Sequence, residues 1–100
     1  MLNLLKFKPD GGLASYQKYM AAVAPLLAKV GGAARYVGSG AELLIGVDGD
    51  DWDLVLVVEY PTRSALLKMA TSPEYLEIRH LRDDSLTRSV LLATDPLTAR

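Results

Sequence analysis

Asp53-Leu54-Val55-Leu56-Val57-Val58-Glu59-Tyr60, closed by Pro61, is the stretch whose reading decides the fold. It is short, rich in β-branched residues and bounded by charge and proline, which reads as a strand. Successive side chains alternate in direction, so Leu54, Leu56, Val58 and Tyr60 share one face. Asp53, Val55, Val57 and Glu59 share the other, apolar in the middle and charged at the ends. A strand with one wet face alternates apolar and polar residues. Here both faces ask for cover. One layer of helices covers one face, and the other calls for a second subunit. The stretch carries no catalytic signature; its message is architectural.

Working outward, Leu2 to Phe7 reads as a first strand, with Asn3 its polar member. Pro9-Asp10-Gly11-Gly12 is a turn cluster. From Leu13 to Val30 the period becomes helical: Leu13, Tyr16, Met20, Val23, Leu27 and Val30 recur at steps of three and four. Pro25 lies inside that pattern, and its missing N–H and bulky ring predict a kink or break. Gly31-Gly32 supplies the stop. Ala33 to Gly46 reads as a second strand, bulged or bent at Gly38-Ser39-Gly40 and resumed by Leu43-Leu44-Ile45. Val47 to Trp52 is an acidic loop. Thr62 or Ser64 can cap a short helix carrying Leu66, Leu67, Met69 and Ala70. Ser72-Pro73-Glu74 opens another, running to about Asp83. Leu86 to Ala93 reads as the last strand.

The resulting order, β-α-β-β-α-β with a split second helical region, is the ferredoxin-like α+β arrangement with a four-stranded antiparallel sheet. The expected organisation is one domain over residues 1–94 and a C-terminal tail over 95–100. One hundred residues are enough for one modest core. A net charge of −1 removes the electrostatic case for nucleic-acid binding, which needs a basic face. The absence of cysteine removes disulfides and thiolate chemistry and is compatible with a reducing cytosol, so a cytoplasmic location is expected. Lys6 and Lys8 come too early for a signal peptide, and no apolar run approaches the roughly 18 residues of a membrane span. No cofactor motif stands out.

Several residues in this order and spacing resemble a bacterial family known as domain of unknown function 1330. They are Met1 to Phe7, Tyr16, Pro25, Gly31-Gly32, Trp52-Asp53, Tyr60-Pro61, Met69, Ser72-Pro73-Glu74-Tyr75 and Arg82. Arg79 departs from the pattern, which has a small residue there. The resemblance implies membership of the dimeric α+β-barrel group, in which two ferredoxin-like subunits press their sheets together. That agrees with the two-faced strand. It implies no substrate and no catalytic residue.

His80 is the only histidine and the only side chain whose ordinary pKa lies near neutrality, so it is the candidate general base. Equally, it is a surface histidine near a helix C-terminus. Tyr75, Arg79 and Arg82 fall on one helical face, where two guanidiniums beside a phenol suit a carboxylate or phosphate. The competing reading pairs both arginines with neighbouring acids. Asn3, an amide in an apolar strand, needs either a structural partner or a ligand. Tyr16 lies on the buried face of its helix and can overlook a cavity between helix and sheet. Asp48-Gly49-Asp50-Asp51-Trp52-Asp53 has its glycine at the second position, not the sixth of a calcium loop, and the twelfth position, Glu59, falls inside a strand, so the stretch reads as a solvated turn.

Two functions of different class follow. The first is a homodimer binding a small organic molecule, anionic in one version. Leu5, Phe7, Tyr16, Leu54 and Leu56 would line the pocket, with Asn3, Arg82 or His80 supplying polarity; the ligand-binding candidates are Asn3, Tyr16, Tyr75 and Arg82. The second is a cofactor-independent monooxygenase or isomerase with His80 as base, an expectation resting on fold analogy.

Overall fold

A computed structural model describes residues 1–97; the last three residues of the expected tail lie outside the described residues. Its elements are β1 (Leu2–Phe7), α1 (Gly12–Lys29), β2 (Ala33–Ser39), β3 (Leu54–Glu59), α2 (Arg63–Ala70), α3 (Pro73–Asp83) and β4 (Leu86–Leu92). The sheet order is β2-β3-β1-β4, with every neighbouring pair antiparallel. This is the ferredoxin-like topology. All three helices lie against one face of the sheet, giving a Cα envelope of 39 × 36 × 16 Å.

The helix boundaries follow from local chemistry. Thr62 Oγ1 accepts from Ala65 N at 3.1 Å, which also donates to Thr62 O at 3.2 Å, and Ser72 Oγ accepts from Tyr75 N at 3.2 Å, so each hydroxyl caps a first turn. Pro73 occupies a position where an N–H is not needed. At the end of α1, Gly31 takes φ 79°, a left-handed conformation disfavoured for a β-carbon, while Gly32 N donates to Leu27 O at 2.9 Å. The expected break at Pro25 does not occur: α1 runs unbroken through it. Pro25 and Ala21 are both exposed, so the Ala21 carbonyl that loses its donor is at a position open to water.

The second strand is shorter than its sequence suggests. β2 stops at Ser39, and Leu43-Leu44-Ile45 does not resume it. The pairing supplies the reason: Ser39 meets Leu54, the first residue of β3, so a longer β2 has no partner. The chain turns at Gly40, where an added β-carbon would stand 1.9 Å from Trp52 O. The bulge sits earlier than expected, at Arg35 between Ala34 and Tyr36, and not at Gly38-Ser39-Gly40. Arg35 pairs with Glu59 at 2.7 Å.

The core on the helical side is built from Leu5, Leu56, Tyr16 and Tyr19, with Phe7, Leu54, Val58 and Leu86 packed against it. The opposite face bears no helix among the described residues. Across it, Tyr36, Val57, Leu2 and Leu92 form one paired row through all four strands. Val55, Leu4 and Val90 form most of the next. At the edge of this face Arg88 stacks over the Trp52 ring at 4.4 Å, and Lys6 pairs with Asp51.

Candidate functional site

Between α1, α2 and the sheet lies a cavity of about 440 Å³, within the range of small-ligand sites. It arises because α1 packs along α3 whereas α2 meets α3 only near their junction. That leaves the sheet over Leu56 and Val58 roofed on its sides only. α1 contributes the stripe Tyr16, Tyr19, Met20, Val23, Ala24 and Leu27. The sheet contributes Asn3, Leu56, Val58 and Leu91, and the second helical region Leu66, Leu67, Met69, Tyr75 and Arg82.

The four residues read from the sequence as ligand-binding, Asn3, Tyr16, Tyr75 and Arg82, come together on this one cavity. Of the residues expected as its apolar lining, Leu56 is there. Leu5 is fully buried in the core, and Phe7 and Leu54 pack against that core instead of lining the space. His80 is exposed and does not line the cavity. It lies five residues beyond Tyr75, a step that carries a helix side chain off the shared face. No base is therefore supplied to the cavity by His80, and the enzyme reading gains nothing from the geometry. Arg79 is likewise outside: its Nε donates to Asp83 Oδ2 at 3.2 Å, the solvated pairing weighed above.

Tyr19 and Tyr60 were missed as site residues. Tyr19 stands three residues beyond Tyr16, so helical spacing held the signal. Tyr60 follows the end of β3 on the face it shares with Leu56 and Val58, so the alternation held its signal too. Tyr19 Oη and Tyr75 Oη stand 2.9 Å apart, one donating to the other, with rings edge-to-face at 84°.

The electrostatics follow from burial and one cation. Burial pushes the Tyr16 phenol up to about 12, with the Arg82 guanidinium pulling against it. Burial, then the hydrogen bond with Tyr75, raises Tyr19 as well. Burial also raises Tyr60. These phenols are neutral donors at physiological pH. Arg82 is half-buried and makes no ion pair with a carboxylate among the described residues. The lining holds no Asp, Glu or His, so Arg82 is its single formal charge. Among the described residues no group of three or more His, Cys, Asp or Glu is placed to hold a metal ion.

The fold and this site define a ferredoxin-like α+β domain with an apolar cavity fringed by phenols and one guanidinium. The chain belongs to the family described as Domain of unknown function (DUF1330), which matches residues 12–95. It is similar to a protein of unknown function from Rhodopseudomonas palustris: 30% identity, TM-score 0.88, covering 98% of this chain and 81% of that one. A dimeric protein of unknown function and ferredoxin-like fold from Bacteroides fragilis aligns with TM-score 0.57 at 20% identity, covering 89% and 86%. A protein from Arabidopsis thaliana aligns with TM-score 0.68 at 13% identity, covering 99% and 95%; like the previous one, it bears on fold alone. No curated protein matches. No helix among the described residues is long and apolar enough to cross a membrane.

Proposed function

We propose that this protein is a cytoplasmic homodimer that binds a small organic anion in the cavity between its sheet and helices. The observation that carries the binding reading is Arg82: a half-buried guanidinium without a carboxylate partner among the described residues, at a cavity lined mainly by apolar side chains. A charge withdrawn from water needs a partner, and a ligand carboxylate supplies one with matching bidentate geometry. Tyr16 and Asn3 provide further hydrogen bonds, and Val23, Leu27 and Leu66 accept an apolar body.

The dimer reading rests on the uncovered sheet face. A soluble chain gains by burying a contiguous apolar patch, and a 39 by 36 Å slab has room for the roughly 800 Å² per partner of a standard interface. The Bacteroides fragilis protein of like fold is dimeric.

Native mass spectrometry of gently purified protein reports subunit number and retained ligand together. A dimer carrying extra mass is expected. Calorimetry with octanoate then tests the site: Arg82→Ala is expected to weaken binding about 10- to 100-fold, the range of one lost charged hydrogen bond. Unchanged affinity in that variant overturns Arg82 as the anchor.

A further inference from the structure

We infer that the ligand is a monocarboxylate with an aliphatic tail, bound head-first, its carboxylate at the Arg82–Tyr16 end and its tail emerging between α1 and α2. This rests on the pocket reading above and specifies its chemistry and direction.

The head chemistry follows from counting donors and acceptors. Arg82 offers five N–H donors and accepts none. The Tyr19–Tyr75 pair uses one of its two hydroxyl protons internally and keeps the other to donate. Tyr16 and Tyr60 add two more hydroxyls. Asn3 is the one lining side chain with a carbonyl acceptor, and among the described residues its amide makes no hydrogen bond within the chain. The cavity thus has an excess of donors and a single positive charge. An acceptor-rich head with one negative charge matches it. An ammonium finds neutral acceptors in the Asn3 carbonyl and the phenol oxygens but no anion, and Arg82 repels it; a phosphate dianion brings a second charge that the lining does not neutralise.

The direction follows from the gradient of exposure. Tyr16, Leu56 and Met69 form the floor, each under a tenth exposed. Leu67, at 63% exposed, together with exposed Ala24 and Ala34, forms the rim. Tyr16 and Leu27 are eleven residues apart on α1, about 16 Å along its axis. Leu27 is held beside the entry to β2 by Gly32 N at 2.9 Å. Of the polar groups, Tyr16 and Tyr19 are buried and Asn3, Tyr60, Tyr75 and Arg82 half-buried, whereas the apolar end is lined by Ala24, Leu27, Ala34, Leu66 and Leu67, with Ala24, Ala34 and Leu67 exposed. A tail-first ligand would leave the guanidinium without a partner and place its carboxylate among leucines and alanines.

Leu67→Trp places an indole at the rim on an exposed position, so folding is retained. Trp52, the only native tryptophan, stacks with Arg88 outside the cavity and gives a constant background. Two probes are used: octanoate brominated at its terminal carbon, and octanoate brominated beside the carboxylate. The terminal bromine is expected to quench the introduced indole, and the proximal bromine much less. Calorimetry with a series of unmodified straight-chain carboxylates around octanoate should show about threefold to fourfold tightening per added methylene, the increment of apolar burial, with Arg82→Gln weakening every chain length by a similar factor. Octylammonium should not bind. Stronger quenching by the proximal bromine, or equal quenching by both, overturns the head-first orientation and leaves the anion site standing. Octylammonium binding as tightly as octanoate overturns the head chemistry. No binding of any carboxylate to the folded protein overturns the pocket reading itself.

Discussion

Val57→Asp tests the architecture most directly. Val57 sits in the middle of the open sheet face, paired with Leu2 on one side and Tyr36 on the other. In the single subunit it is 36% exposed, so a partner subunit has only about a third of the side chain left to cover. Full burial of a valine contributes about 1.5–3 kcal/mol, which makes the lost apolar term about 0.5–1 kcal/mol per copy. The carboxylate adds a larger cost: closing an interface over an unpaired charge costs several kcal/mol. A twofold dimer carries the substitution twice. The total reaches about 5 kcal/mol or more, a loss of three to four powers of ten in dimer affinity. The isolated subunit keeps the new carboxylate in water and should fold. Sedimentation velocity across a concentration series, with circular dichroism as the fold control, reads both effects. A variant that dimerises as tightly as the parent would show that this face is not the interface. A parent protein that stays monomeric at tens of micromolar would refute the dimer outright.

Gly12→Ala sets two effects against each other. Alanine raises helix propensity by about 0.5–1 kcal/mol over glycine. At this buried position, however, its β-carbon would stand 2.7 Å from Ser85 O and 3.1 Å from the Phe7 β-carbon. Ser85 O is held by Lys8 N at 2.9 Å and has little freedom to move, so the clash should win by about 1–2 kcal/mol. The urea midpoint is expected to fall with an unchanged slope; a rise would show that the junction yields. Tyr16 predicts an alkaline effect. Its folded pKa of about 12 lies above the ordinary value near 10, so the unfolded chain releases this proton first. Its contribution is fully present below about pH 10 and is lost as pH rises through 12. Urea titrations from pH 9 upward should show a shallower loss of stability in Tyr16→Phe than in the parent. Parallel curves would remove Tyr16 as the source.

The sequence by itself determined what short-range chemistry controls. The alternation in residues 53–60, the caps at Thr62 and Ser72 and the stop at Gly31-Gly32 fix elements whose causes lie within a few residues of one another. The order of those elements then gives the ferredoxin-like topology. The apolar outward row of β3, Val55 and Val57, likewise follows from alternation alone. Tertiary structure decided whatever depends on a distant partner. Leu43-Leu44-Ile45 has strand composition, yet it stands outside the sheet because β3 begins only at Leu54. The bulge falls on Arg35 with no glycine to announce it. His80 and Arg82 are two residues apart on α3, so they point in very different directions, and only the packing of α1 on α3 selects which of them meets the cavity. Tyr16 and Tyr75 were legible as candidates from their helical faces. Their convergence with Asn3 and Arg82 around one space was not, because that space exists only where α1 and α2 part above the sheet.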